Sequence, residues 1–386
     1  MKREVMYLAM AFLIANLAGS TVSLLLPLLF LDEYTESKTL IALLASIPSL
    51  MVAIGTPFFG WISDRTGRRI LYIRMSFFAS GICLLAHAFV DDIIHFYFLR
   101  AVLSLVGSAP IPLVPVIITL GVKKEERGEI IGKYNTVVSI GGTSGFFFGG
   151  AIAELIGIRR TFVLSGLLTL LSTPLLYLVK EKKQTEEKGE IRRKGKEEDD
   201  KWISREIISL FFLVLVILIG SGAVYSLLPV YFKEIGFSES EIGVLMGTES
   251  LAYLATAFLT GKISDLFGRK KVLFFGIIGY PICYFGYYSL RDFTHLILVQ
   301  FLSGIKWGAV IIPVTAVTAD LSKEKHRGKA MSLIYSGIHI GWIFGPILGG
   351  LVSDTLGMGR MILTFAILPA LALFLLPISV SKGSHH

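Results

Sequence analysis

The chain has 386 residues, of which 53% are hydrophobic, and its mean hydropathy is +0.70. That excludes an ordinary water-soluble domain, in which apolar residues share each element with a polar face. The net charge of +8 would point to nucleic acid in a soluble protein; here it fits basic loops at an anionic membrane surface.

Spanning a bilayer takes about 20 mostly apolar residues, and twelve such runs can be read in chain order. They cover 5–31, 39–62, 70–90, 95–121, 128–156 and 159–180, then 205–232, 240–262, 271–290, 294–320, 328–356 and 358–380. The predicted fold class is therefore an all-α membrane protein with 12 transmembrane helices. The first run follows Met1-Lys2-Arg3 like a signal peptide, but it continues to Leu31, too long for one. Between the sixth and seventh runs lies a stretch dense in Lys, Arg, Glu and Asp. It is expected to be a solvated connector. The domain reading is 1–180 as a first six-helix bundle, 181–204 as a charged cytoplasmic linker and 205–382 as a second six-helix bundle. Residues 383–386 read as a tag remnant.

Lys and Arg fix the orientation. With the N-terminus inside, the inner segments carry 29 of the 37 basic residues and the outer loops carry 6, with Arg100 and Lys306 inside spans. Both termini and the linker are thus expected in the cytoplasm, in the cell membrane of a prokaryote. Asn and Gln are nearly absent, which suggests a thermophilic source.

The halves repeat. Gly60-Trp61-Ile62-Ser63-Asp64-Arg65-Thr66-Gly67-Arg68-Arg69 returns 201 residues later as Gly261-Lys262-Ile263-Ser264-Asp265-Leu266-Phe267-Gly268-Arg269-Lys270. Pro27 answers Pro229. Gly141, Gly145 and Gly149 in the fifth run answer Gly341, Gly345-Pro346 and Gly349 in the eleventh. Cys83 and Cys283 are repeat mates inside apolar runs, not a disulfide pair. Two parallel repeats imply a pseudo-twofold axis along the membrane normal with a pathway between the halves.

These motifs resemble the major facilitator superfamily over essentially the whole chain. The family's loop pattern after its second span, G-x-x-x-D-R-x-G-R-[RK], is met in full by Gly60 to Arg69; Leu266 departs from it in the second copy. The G-x-x-x-G-P-x-x-G-G pattern, associated with antiporters in the fifth span, has Phe146 in place of Pro there and is complete in the eleventh. The fourth-span pattern R-x-x-Q-G keeps Arg100, with Leu103 and Ser104 at its other two positions. The resemblance implies two pseudo-twofold-related six-helix bundles and transport by alternating access. It also implies that the paired loops form a latch closing the cytoplasmic side.

The loop residues suit such a latch. Gly60 and Gly261 let helices approach closely. Asp64 and Asp265 can sit at the positive N-terminus of a helix in the other half. Arg65, Arg68, Arg69, Arg269 and Lys270 are then available to Glu125, Glu126, Asp320 and Glu324. Gly67 and Gly268 permit a turn with positive φ. A plain topology anchor needs the cations alone, not the Asp and two glycines twice over.

Ionisable side chains at bilayer depth are costly and usually face a cavity. Arg100 heads a polar stripe with Ser104 and Ser108. Glu249 shares a face with Tyr253, Thr256 and Thr260; Lys306 lies near Gln300 and Ser303; His339 lies near Tyr335 and Trp342. Glu249, Arg100 and His339 are the proton-coupling candidates, against a static Glu249–Lys306 pair and a packing role for His339. The substrate-contact candidates are Asn16, Arg100, Tyr225, Glu249, Tyr253, Lys306, Trp307 and His339. Asn16 could equally make an interhelical hydrogen bond.

No nucleophile constellation, phosphate loop or metal spacing occurs in the sequence, so no enzymatic activity, cofactor or metal is expected. The expected function is secondary active transport, with proton-coupled export of amphipathic small molecules placed first. A symporter or uniporter of a small organic anion is the alternative, and a non-transporting sensor or lipid-handling protein ranks last. The expected partners are a small-molecule substrate, protons or another coupling ion, and the lipid bilayer, with no nucleic acid and a monomeric state.

Overall fold

A computed structural model of the chain describes residues 3–120, 122–123, 126–179 and 203–380. Most of the expected linker, Glu125 of the latch reading and the tag remnant lie outside the described residues. What is described is all-helical, and eleven helical stretches are long and apolar enough to cross a bilayer. A twelfth apolar helix, Met358–Ala372, is shorter.

The first half comprises α1 (Arg3–Glu33), α2 (Lys38–Thr66), α3 (Arg69–Ala86), α4 (Ile93–Gly107), α5 (Pro110–Thr119), α6 (Arg127–Ile156) and α7 (Ile158–Ser172). The second comprises α8 (Arg205–Tyr225), α9 (Leu228–Glu234), α10 (Glu239–Phe267), α11 (Arg269–Ser289), α12 (Phe293–Leu321), α13 (Arg327–Leu356), α14 (Met358–Ala372) and α15 (Leu376–Ser379). Three expected spans are broken, the twelfth between Ala372 and Leu376. The fourth divides after Ser108, where Pro110 opens α5, and the seventh divides before Pro229, which opens α9. Proline has no N–H to give and its ring clashes with the preceding turn, so the ladder stops there. The polar stripe on the fourth span therefore ends with α4, and Ser108 caps it.

The helix ends repeat as the sequence does. Ser37 caps α2 and Ser238 caps α10, the latter within a full capping box with Glu241. Asp92 caps α4 and Asp292 caps α12. Hydrogen bonds from the backbone N–H groups of His95 and His295 hold the carboxyls of Asp92 and Asp292, respectively, below the usual range. Gly67 ends α2 at φ 67° and Gly268 ends α10 at φ 93°, a conformation that L side chains resist.

Close packing rests on small residues. A Cβ on Gly141 or Gly145 of α6 would fall 2.2 Å from the Leu13 carbonyl oxygen or 2.3 Å from that of Leu17 on α1. On α13, a Cβ at Gly345 or Gly349 would lie 2.5 Å from carbonyl oxygens of α8, and one at Gly341 equally near Leu218. Pro346 is buried in the same face. Within the membrane this contact is dispersion between backbones that only missing side chains allow.

The two halves meet at the end away from the basic loops, here termed the far end. Gly150 of α6 lies against the start of α10, and Gly350 of α13 lies against Lys38 and Thr39 of α2. Asp354 on α13 accepts from the Ser37 hydroxyl (2.8 Å), the Lys38 N–H (2.6 Å) and both the N–H and hydroxyl of Thr39 (3.1 and 2.7 Å). In the mirror position, Glu154 on α6 accepts from the Ser240 N–H at 3.1 Å. Lys38 pairs with Glu234 at 2.7 Å, and Lys233 lies 3.7 Å from Asp32 and pairs with Glu239. Deeper in, the Thr143 and Ser250 hydroxyls share a 2.7 Å hydrogen bond between α6 and α10.

At the basic end the paired loops turn to their own halves. Asp64 reaches Arg69 at 3.3 Å, and its side chain is 75% exposed. Arg269 pairs with Asp320, while Asp265 lies 4.0 Å away and is 73% exposed. A Cβ on Gly261 would meet nothing within 4 Å. In this conformation neither Asp sits on a helix of the opposite half. Among the described residues of the proposed acid set, Asp320 takes an arginine of the loops, Arg269.

Candidate functional site

Among the described residues, two cavities gather candidate side chains. The first, about 260 Å³, is lined by Phe146 of α6 and by Ser221, Tyr225, Glu249, Ser250, Tyr253, Trp307 and Trp342 of the second half. It therefore sits between the halves, with four aromatic side chains of the second half around one carboxylate. Tyr225, Glu249, Tyr253 and Trp307, read from the sequence as substrate contacts, come together here. Four further wall residues, Phe146, Ser221, Ser250 and Trp342, were not in that set. Phe146 stands where the antiporter pattern has proline, and Trp342 shares a helix face with His339; His339 itself is half-buried and does not line this cavity.

Behind Glu249 lies a buried polar relay. The Ser303 hydroxyl is 3.4 Å from Glu249 Oε1, accepts from Lys306 Nζ at 3.0 Å and shares a 3.2 Å hydrogen bond with the Tyr225 hydroxyl. Glu249 and Lys306 thus do not pair directly, as the static-pair alternative required; Ser303 stands between them. Lys306 is only 2% exposed. Its ammonium lies 4.1 Å from the ring centroid of Tyr280, 5.5 Å from Tyr225 and 6.0 Å from Tyr284. Ring faces carry negative charge density, and a desolvated cation–π contact is worth about 2 kcal/mol or more. The cation is thus held by aromatic faces and one hydroxyl, out of reach of a substrate. Part of the cage was legible in principle: Tyr280 and Tyr284 recur at i and i+4 on α11.

The second cavity, about 470 Å³, lies inside the first half among α1, α2, α3, α4, α5 and α7. Asn16, Ser20 and Ser23 of α1 and Arg100 and Ser104 of α4 line it. Asn16 donates to the Phe12 carbonyl one turn back, so its side-chain oxygen is not used by that bond. Arg100 donates to the Leu44 carbonyl and the Ser23 hydroxyl, both at 3.3 Å. The sequence-predicted polar residues therefore divide between two places: Asn16 with Arg100, and Glu249 with Lys306 behind it. His339 joins neither.

The sequence profile of the Major Facilitator Superfamily matches residues 8–209 and again 210–385. The chain belongs to that superfamily. It is accordingly a multi-pass prokaryotic membrane protein, not an enzyme, and a secondary active transporter of small molecules that works by alternating access. Its relatives in the superfamily include multidrug resistance protein MdtG from Escherichia coli strain 536, 27% identical over 373 residues, which span 93% of this chain and 90% of MdtG. MdtG from strain K12 is 26% identical over the same length. The fold matches a bacterial homologue of the human lysosomal transporter Spinster in an inward-facing, unoccupied conformation. There the TM-score is 0.80 at 16% identity, covering 97% of this chain and 96% of the other. It also matches the nucleoside transporter NupG with a TM-score of 0.79 at 14% identity, over 98% and 100% of the two chains. At those identities the structures speak for the superfamily fold alone.

Proposed function

We propose that this transporter is a proton-coupled exporter of amphipathic small molecules, acting as a monomer with its basic loops and both termini in the cytoplasm. One observation carries this reading: among the described residues lining the cavity between the halves, Glu249 is the one acid, and aromatic rings surround it. Aromatic walls take large apolar bodies without demanding one shape. A carboxyl at bilayer depth next to them can be occupied either by a proton or by a cationic group of the substrate, which makes the two compete. The resemblance to multidrug resistance protein MdtG supports the same substrate class.

In this account the twelve spans form two six-helix bundles, 1–180 and 205–382. Met358–Ala372 with its continuation to Ser379 is the twelfth span. The charge asymmetry of the loops supports the orientation, and the scarcity of amides supports a thermophilic source. With the basic end in the cytoplasm, closure at the far end makes this the inward-facing state. Alternation then exchanges the far-end contacts of Asp354 and Glu154 for contacts of Asp64 and Asp265. The anion-carrier alternative draws no support from Lys306, which its tyrosine cage encloses.

The test is proton flux in liposomes of reconstituted protein across a panel of cationic, neutral and anionic amphipaths. Export-coupled proton uptake with cationic and neutral members is the expected result. Transport that proceeds with no proton movement for every member of the panel would contradict the proposal.

A further inference from the structure

The cavity around Arg100 has no part in the coupling scheme above, and three features set it apart. First, its cation is underused. A guanidinium offers five N–H donors. Arg100 spends two on neutral acceptors, both at 3.3 Å, and among the described residues no carboxylate lies within ion-pairing distance. An uncompensated charge at this depth is costly unless water or an anion reaches it. Second, a structural strut does not need the charge. Gln300 stands at the repeat-equivalent position and binds the Tyr287 hydroxyl at 3.0 Å as a neutral amide. Third, the halves differ in filling. In the second half, Tyr280, Tyr284 and Tyr287 are fully buried and occupy the interior. In the first half the corresponding interior is an open volume of about 470 Å³, a size typical of small-molecule sites.

The rest of the lining defines the ligand. Ser23 meets the guanidinium itself, Ser20 and Ser104 add polar groups to the same lining, and Phe12, Phe77 and Leu84 supply apolar wall. A guanidinium fork matches a carboxylate in geometry and charge. We propose that this cavity is a second binding site, distinct from the Glu249 cavity, for an amphipathic organic carboxylate whose head group pairs with Arg100 and whose apolar stem lies along the phenylalanine wall. This goes beyond the Glu249 reading and does not depend on it.

Octanoate is the probe, with octanamide and octylammonium as size-matched neutral and cationic controls and inorganic phosphate as the bare oxyanion. Full-length protein in lipid nanodiscs is titrated by calorimetry and by thermal shift. Octanoate is expected to bind saturably, at least tenfold tighter than either control, with no competition from phosphate. Arg100→Gln should weaken octanoate at least tenfold, Arg100→Lys should weaken it less, and Glu249→Gln should leave it within twofold while abolishing coupled proton flux. Equal binding of all three probes, or undiminished octanoate binding in Arg100→Gln, overturns the site. Competition by phosphate overturns the amphipathic class. Should Arg100→Gln fail to fold, the charge can stay and the cavity can be read directly. Ser80→Cys, in a background with Cys83→Ala and Cys283→Ala, places a thiol in the lining. Octanoate should slow its alkylation about tenfold, and an unchanged rate would refute the proposal.

Discussion

Asp354, in the last turn of α13, accepts hydrogen bonds from both the backbone N–H and the hydroxyl of Thr39, in the first turn of α2. The two residues belong to opposite halves of the transporter. The carboxylate therefore does for α2 what an N-cap does within one helix, satisfying orphan N–H donors and countering the positive end of the helix dipole. Glu154 does the same for α10 with fewer bonds. This is the chemistry expected of Asp64 and Asp265 at the basic end, found at the far end instead.

Removing the stronger of these caps should open the far end. Hydrogen bonds to a charged group contribute about 1.5–3 kcal/mol, and 1.4 kcal/mol is tenfold in population. Asp354→Ala should therefore shift the balance toward the far-end-open state by about tenfold or more, and Glu154→Ala by less. Spin-label distances between Glu36→Cys and Thr355→Cys in reconstituted protein read the shift. An unchanged distance distribution in Asp354→Ala would show that the cap does not hold the far end closed.

The two basic loops should contribute unequally. The first copy has Arg65, Arg68 and Arg69 beside Asp64, whereas Leu266 replaces the first arginine of the second copy and Arg269 is engaged by Asp320. Asp64→Asn is expected to slow transport more than Asp265→Asn in a liposome uptake assay. Equal losses would count against the asymmetry.

Glycines of α6 should divide by what surrounds them. A Cβ at Gly145 would collide with the Leu17 carbonyl, whereas one at Gly132 would meet nothing within 4 Å. Overpacking costs about 1–3 kcal/mol, and replacing an open helical glycine by alanine gains up to about 1 kcal/mol. Gly145→Ala should lower the thermal midpoint and Gly132→Ala should hold or raise it. Thermal unfolding in detergent checks both, and equal midpoints would refute the packing role.

The all-helical membrane fold, the repeat and the superfamily were legible because each is a local or periodic signal. Gly60 to Arg69 recurs in frame, and the glycine spacings of α6 and α13 follow helical periodicity. The contacts between halves were not legible, since no local pattern says which helix start a carboxylate will meet. Asp354 lies only four residues past Gly350, and Ser37-Lys38-Thr39 reads as an ordinary helix start; their meeting depends on how the halves rock. Ser303 was noticed as a neighbour of Lys306, yet its place between Lys306 and Glu249 depends on α10 packing against α12. The breaks at Pro110 and Pro229 could have been seen, because each proline sits inside an apolar run read as continuous.

The central claim is that Glu249 links proton movement to substrate movement. Its most direct test is the behaviour of Glu249→Gln in two assays on the same liposomes: substrate exchange at equal pH on both sides, and substrate transport driven by a pH gradient. The account predicts that exchange persists while gradient-driven transport and the accompanying proton flux are lost. Gradient-driven transport at the wild-type rate in Glu249→Gln would contradict it.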